Sequence, residues 1–227
     1  MRDMMQFNFD CHVHTNRSFC GRAEMTPQTL VKLMEQKGLK GFAITDHSSH
    51  FYSFSTGEVW DSKSPQFFLR TPHVIERHHP GAEEAIREHI SSIRRYAQNG
   101  VLVGLEADCD FEGNLMIPPG IEKELDILIG SVHWLPCTVE EDKSSKRCIR
   151  EFLDIALKLL EKGIYVLAHP TRIFTWSGME VPMEVVDPLV DAAIAHGVAL
   201  ELNSLQGPRW VFHPKVLGER GEDSHWY

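Results

Sequence analysis

Five strand-like stretches of this chain each end directly before a residue that can bind a metal ion. The first stretch, residues 7–11, leads into His12 and His14. The other four stretches are residues 41–45, 101–105, 127–132 and 164–168, which are followed by Asp46 and His47, Glu106, His133 and His169. Parallel strands present the residues at their C-terminal ends on one face of a barrel or sheet, where such folds build active sites. The pattern therefore predicts a parallel α/β fold with clustered metal ligands.

Helical periods alternate with these strands, as expected for a parallel α/β fold. We predict helices at residues 26–37, 82–98, 145–162 and 184–196. In the third helix, one face is predicted to be buried because it carries apolar residues at helical spacing: Ile149, Phe152, Leu153, Ala156, Leu157, Leu159 and Leu160. Residues 48–81 show no clean period, so they are either a lid over the site or a poorly ordered loop, and their many aromatic residues favour the lid.

Size and charge restrict the class of protein. A length of 227 residues with 42% hydrophobic residues fits a single domain over residues 1–227. The 23 Lys and Arg against 32 Asp and Glu give a net charge of 23 − 32 = −9. This charge argues against a long nucleic acid as the partner, because its phosphates would have to be neutralised by basic residues. A short phosphorylated ligand is compatible, because bound divalent cations would reverse the local field.

Cysteine usage and hydropathy indicate where the protein works. The five cysteines are odd in number and lack Cys-x-x-Cys spacing, so we expect reduced thiols in a cytoplasmic protein. No stretch approaches the ~20 apolar residues of a membrane span, and the N-terminus lacks a signal-peptide core, so no membrane partner is expected.

The thirteen histidines fall into two groups. Spacing by two on a strand puts His12 and His14 on the same side of the pleat, where one cation can bind both. Histidines in predicted loops and helices are expected to be surface residues: His50, His73, His78, His79, His89, His196 and His213.

Six short motifs along the chain have the order of those in a known family. They are His12-Val13-His14-Thr15, Thr45-Asp46-His47, Gly104-Leu105-Glu106, Gly130-Ser131-Val132-His133, Ala168-His169-Pro170 and Asp223-Ser224-His225. Together they resemble the PHP (polymerase and histidinol phosphatase) superfamily. The resemblance implies a distorted seven-stranded, TIM-like β/α barrel. It also implies a site for two or three divalent metal ions that hydrolyses phosphoesters.

The resemblance also assigns ligands to two ions. The first ion would bind His12, His14, Glu106 and Asp223, and the second would bind Glu106, His133 and His169, with Glu106 as the bridge. Mixed imidazole and carboxylate ligation suits Zn, Mn or Fe. Two such ions would activate a water molecule and bind the phosphoryl oxygens, so no serine or cysteine nucleophile is required.

The third ion of the family is where this sequence departs from the pattern. His47 and His225 match two of its ligands, but counting back from Asp46 puts Arg22 where a histidine is expected, with Cys20 nearby. Arginine has no free lone pair for a metal. Either Cys20 substitutes, or the third ion is absent and Arg22 binds the phosphate instead, which is the interpretation we favour; Arg22 as a plain loop residue is the third alternative.

Two other regions affect the expected site. Arg172, three residues after His169, is well placed to bind a phosphate. The connection from Asn203 to Asp223 is short for the helix and strand that normally precede the last motif. Asp223 and His225 are therefore either ligands on a shortened connection or part of an acidic tail, and in the second case the barrel is incomplete at its C-terminus.

Three functions are compatible with these features. The first is hydrolysis of a small-molecule phosphomonoester through metal-activated water, as in histidinol phosphatase, and the acidic charge favours it. The second is a phosphodiesterase or exonuclease on oligonucleotide ends, which would require a basic track that the sequence lacks. The third is a catalytically silent metal-binding module.

Overall fold

The structure, a computed structural model, describes residues 9–52, 72–140 and 144–202. These residues form two compact units. The first contains residues 9–52, 78–106 and 117–128, and the second contains residues 72–77, 107–116, 129–140 and 144–202. The single domain expected over residues 1–227 stays a prediction.

Strands and helices alternate along the described chain. The strands are β1 (Phe9–Val13), β2 (Gly41–Ile44), β3 (Val101–Asp108), β4 (Ile127–Ser131), β5 (Val166–Leu167) and β6 (Ala199–Leu200). The helices are α1 (Pro27–Lys37), α2 (Pro72–Arg94), α3 (Pro136–Val139), α4 (Ser145–Leu160), α5 (Arg172–Trp176) and α6 (Val186–His196). The ladders between named strands are parallel, which confirms the α/β class. The seventh strand would lie beyond residue 202, outside the described residues, so the closed barrel stays a prediction.

In the first unit, β2 lies between β1 and β3. Gly41 is paired with Phe9, and Phe42 with Val101. All four residues of β2 are buried, as expected for a strand covered on both faces. On β3, a Cβ at Gly104 would lie 2.6 Å from a side-chain carbon of Ile127, so only glycine allows this close packing two residues before Glu106.

Helices α1 and α2 of this unit pack through apolar faces. Thr26 caps α1 by accepting a hydrogen bond from the Thr29 N–H, and Gly38 ends it in a left-handed conformation. The buried side chains on the two helices are Leu30, Val31, Met34, Ile86, Ile90 and Ile93. Together with β2 they form the core that fixes the strand ends.

In the second unit, β5 lies between β4 and β6. Val166 pairs with Ile129 on one side and with Ala199 on the other. The predicted apolar face of α4 is confirmed at Phe152, Ala156, Leu159 and Leu160, which are buried. The Phe152 ring also meets Phe174 at a centroid distance of 5.0 Å, and α4 packs against α6.

Two expectations need correction, and a third falls largely outside the described residues. Helix α2 begins at Pro72, ten residues before the predicted start, because Pro72 suits a first helical turn whereas Pro80 inside the helix obscures its period. A disulfide joins Cys137 to Cys148, so not all five cysteines are thiols. The predicted lid falls largely on residues 53–71, outside the described residues. No described helix is long and apolar enough to span a membrane.

Candidate metal centre

A histidine cluster in the first unit surrounds the carboxylate of Glu106. Glu106 is completely buried on β3. Its Oε2 lies 3.2 Å from His12 Nε2, 3.4 Å from His14 Nε2 and 3.0 Å from His47 Nδ1. A buried carboxylate is costly unless cations or hydrogen-bond donors compensate it. Three imidazole nitrogens therefore converge on one buried oxygen that requires positive charge.

The strand ends bring these groups together. His12 lies on β1 and His14 directly after it, two positions apart, and their ring centroids are 4.9 Å from each other. His47 forms a parallel bridge with Glu106, whose N–H donates to the Asp46 carbonyl at 3.1 Å. The rings of His14 and His47 stack at 4.6 Å with 15° between their planes. The spacing of two and the parallel register thus suffice to build the cluster.

Asp46 organises the loop behind these histidines. Its buried carboxylate accepts hydrogen bonds from the Thr15 N–H at 2.8 Å, the Thr15 hydroxyl at 2.7 Å and the Ser18 hydroxyl at 2.6 Å. His89 Nε2 lies 3.0 Å from the same carboxylate. Burial alone would raise the pKa of Asp46, but the hydrogen bond and charge of His89, together with Ser18 and Thr15, lower it to about 2. Asp46 is therefore ionised.

Ser18 connects the Asp46 carboxylate to the ring of His14. Because the Ser18 hydroxyl donates its proton to Asp46, its oxygen accepts from the His47 N–H at 3.1 Å and faces His14 Nδ1 at 3.4 Å. This network assigns the proton of neutral His14 to Nδ1 and leaves a lone pair on Nε2. Burial lowers the pKa of His14 to about 4, although Glu106 opposes the shift. A neutral imidazole lone pair thus faces the Glu106 carboxylate.

This donor set fits a divalent ion. Ligand atoms of His12, His14 and Glu106 all lie within 4.8 Å of one another. A cation between a lone pair and a carboxylate would bind both, and two imidazoles with one carboxylate suit Zn, Mn or Fe. An ion held by these three residues would keep coordination positions for water or substrate, as in catalytic rather than structural sites.

The loop after β1 contributes a third type of donor, the sulfur of a cysteine. The ligand atoms of His14, Cys20 and His47 form a second group within 4.8 Å of one another. Arg22, which we favoured for this place, is exposed, and its guanidinium makes no ion pair with a described residue. Of the two alternatives, the structure brings Cys20 to His47.

His133 is the first ligand candidate in the second unit. It follows β4, and its Nδ1 contacts Asp108 Oδ1 and lies 3.2 Å from the Ser131 hydroxyl. A carboxylate on one ring nitrogen fixes the tautomer and directs the other nitrogen to a ligand, which is the usual arrangement behind a metal-binding histidine.

His169 lies beside it in an unusual backbone conformation. Its φ of 29° is the one positive value among the described residues other than glycine. Its N–H donates to Glu201 Oε2 at 2.6 Å, and its ring lies 5.2 Å from that of His133. Such strain persists where the surroundings impose it, and it is concentrated at functional sites.

Arg172 and Trp176 flank this pair. The Arg172 N–H donates to the His169 carbonyl at 2.9 Å. Its guanidinium carbon lies 3.8 Å from the centroid of Trp176, which is 57% exposed. The indole in turn lies 6.1 Å from the His133 ring. A stacked arginine beside two histidines is suited to bind an anion.

The sequence match assigns a family to these clusters. The chain matches the PHP domain over residues 10–205. This chain belongs to the PHP domain family. The matched range contains every described ligand candidate of the PHP domain.

Two curated relatives of this PHP domain are each described as a probable phosphatase. The relative from Acetivibrio thermocellus is 27% identical over 203 residues, which cover 88% of this chain and 66% of that protein. The relative from Shewanella piezotolerans is 26% identical over 217 residues, with 88% and 65% coverage. The chain thus spans just under two thirds of the length of these relatives.

The PHP domain brings the predicted ligands into two sets. His12, His14, His47 and Glu106 meet in the first unit, and His133 and His169 meet in the second. Asp223 and His225 lie outside the described residues. Ligation by these eight residues, and the bridging role of Glu106, stay predictions.

His89 is the main residue that sequence reasoning misplaced. It was expected at the surface, but its side chain is only 10% exposed and contacts Asp46. The signal was its place on α2, where Ile86, Ile90 and Ile93 form a buried stripe at helical spacing around it.

Proposed function

We propose that this PHP domain is a metal-dependent phosphoesterase that hydrolyses a small-molecule phosphomonoester, with histidinol-phosphatase-like chemistry. The observation that carries the proposal is the buried Glu106 carboxylate facing three imidazole nitrogens at 3.0–3.4 Å. A core that only needed stability would place apolar groups there, because burying a charge is costly. The description of both relatives as probable phosphatases supports the same class of reaction.

Two or three divalent ions, of Zn, Mn or Fe, are the proposed cofactors. His12, His14, His47 and Glu106 would hold ions in the first unit, and His133 and His169 would do so in the second, with Asp223 and His225 as further candidates. Ions bound there would supply Lewis acidity, which activates water and neutralises charge on a phosphoryl group. Asp46 and Asp108 would orient the ligands through Ser18 and His133.

Two arginines are the proposed phosphate-binding groups. Arg172 is held against Trp176, so its guanidinium loses little freedom on binding an oxyanion. Arg22 is exposed in the loop that carries Cys20 and has no described ion-pair partner to displace. Each could bind two phosphoryl oxygens at once.

The charge favours a small substrate. A net charge of −9 disfavours a long polyanion, whereas a single phosphate needs only the local field of arginines and ions. We therefore propose a small phosphorylated metabolite as the partner rather than a nucleic acid.

A substrate panel tests the proposal. The protein is depleted of metal with chelator, reloaded with Mn, Zn or Fe, and assayed with phosphomonoesters, including histidinol phosphate, and with phosphodiesters. We expect monoester hydrolysis that requires metal and is abolished in Glu106→Gln but kept in Glu112→Gln, a matched change at an exposed glutamate. Faster turnover of diesters would favour the exonuclease function, and metal binding without any turnover would favour the silent module.

A further inference from the structure

The loop that carries Cys20 is held in one conformation. The Gly21 N–H donates to the Ser18 carbonyl at 2.8 Å, and a Cβ at Gly21 would lie 1.9 Å from the Thr15 carbonyl oxygen. Only glycine permits this tight fold directly after Cys20. The loop conformation therefore depends on a residue whose role is to let the chain turn back toward β1.

A second set of contacts anchors the same loop near His47. The Phe19 N–H donates to His50 Nδ1 at 3.1 Å, and the two rings meet at 4.3 Å. His50 lies in the short 3₁₀ helix Ser48–Phe51, directly after His47, and its ring is 4.8 Å from that of His47. Cys20 is thus fixed from both sides.

Cys20 lies close to two histidines, and together they form a donor set of one sulfur and two nitrogens. Ligand atoms of Cys20, His14 and His47 lie within 4.8 Å of one another, and Cys20 is a free thiol. Two imidazoles and one thiolate suit zinc and disfavour hard ions such as Mg, which prefer oxygen.

We propose that Cys20 is a thiolate ligand of a zinc ion that His47 also binds and that takes the one lone pair of neutral His14, at Nε2. This is the same ion for which His12 and Glu106 are candidate ligands. This inference rests on the proposed function, because it specifies the ligand set and ion preference of the same centre. On ion binding, the thiol releases its proton to solvent and the sulfur lone pair forms the bond to zinc. Arg22, two residues further along, offers no lone pair for an ion, so it stays a candidate for phosphate binding and not for ligation. With Cys20 as a ligand, phosphate binding by Arg22 no longer depends on the absence of this ion.

Cobalt substitution tests the ligand directly. Co²⁺ replaces zinc in such sites, and a thiolate bound to it gives a charge-transfer band in the near ultraviolet that imidazole and carboxylate do not give. We expect this band in the wild-type protein loaded with Co²⁺, loss of the band in Cys20→Ser, and retention in Cys11→Ser, a matched change on β1. An unchanged band in Cys20→Ser, or no band in the wild type, would overturn the inference.

Zinc affinity gives a second measurement that is independent of activity. Removing an outer partner of a metal ligand costs about 10- to 100-fold in affinity, so Cys20→Ser should weaken zinc binding by at least that factor. Cys20→His, which supplies a different lone pair, should restore affinity without restoring the cobalt band. Equal zinc affinity in wild type and Cys20→Ser would contradict the inference.

These results separate the two proposals. If the protein binds Co²⁺ and hydrolyses monoesters but shows no thiolate band, only the role of Cys20 fails. If it hydrolyses no phosphoester while the band depends on Cys20, the ligand assignment stands and the proposed function fails. If no metal binds, both are wrong.

Discussion

Replacing Asp46 by Asn should destabilise the first unit by an amount that depends on pH. The fully buried Asp46 carboxylate accepts hydrogen bonds from Thr15 and Ser18 and faces His89. These partners outweigh burial and lower its pKa from 3.8 to about 2. Since one pKa unit corresponds to ~1.36 kcal/mol, the ionised carboxylate contributes about 2 kcal/mol to the free energy of unfolding.

The sign of the pH dependence follows from the direction of this shift. The pKa of Asp46 is lower in the folded protein than in the unfolded chain. Its contribution is therefore complete above pH 3.8 and disappears as the pH falls through about 2. Asn keeps the shape but not the charge, so the difference between wild type and Asp46→Asn should be largest near neutral pH.

Urea denaturation of metal-depleted protein, followed by circular dichroism between pH 7 and pH 2.5, measures this difference. Metal is removed so that ion binding does not add to the stability. The control is Asp154→Asn, which breaks an exposed pair with Lys158 on α4 and should cost under about 0.5 kcal/mol. Equal stability of Asp46→Asn and wild type at pH 7, or a difference that grows toward acid pH, would refute the reasoning.

Three further predictions concern the site. Asp108→Asn should weaken metal binding about 10- to 100-fold, measured by competition with a chromophoric chelator, because it removes the carboxylate behind His133; unchanged affinity would count against that role. Arg172→Ala should lower kcat/KM by on the order of 10- to 100-fold at unchanged metal content, as expected for a charge-assisted phosphate contact, and a loss of metal instead would point to a ligand defect. Arg22→Ala should do the same, whereas wild-type kinetics would make Arg22 a plain loop residue.

The sequence predicted the first cluster well because strand geometry is local. The spacing of two at His12 and His14, and the position of Glu106 at the end of a buried strand, are sufficient to bring these side chains together once neighbouring strands run parallel. The buried face of α4 could also be predicted, because apolar residues at helical spacing indicate which face of a helix is buried.

Residues that act through tertiary contacts were harder to predict. His89 is far from Asp46 in sequence, and only the packing of α2 reveals their contact. Cys20 and Arg22 are two residues apart in one loop, so counting positions in the sequence does not show which of the two side chains lies near His47. The roles of both residues stay predictions. The helical start at Pro72 was missed because Pro80, inside the helix, obscures its period.

Metal content of the purified protein is the measurement that tests the central claim most directly. Wild type and Glu106→Ala are analysed for bound Zn, Mn and Fe by mass spectrometry after removal of loosely bound ions, with circular dichroism to verify that both are folded. We predict at least two divalent ions per wild-type chain and loss of most of them in folded Glu106→Ala. Full retention of metal in the variant, or a wild-type protein that binds none, would contradict the assignment of Glu106 as the centre of the site.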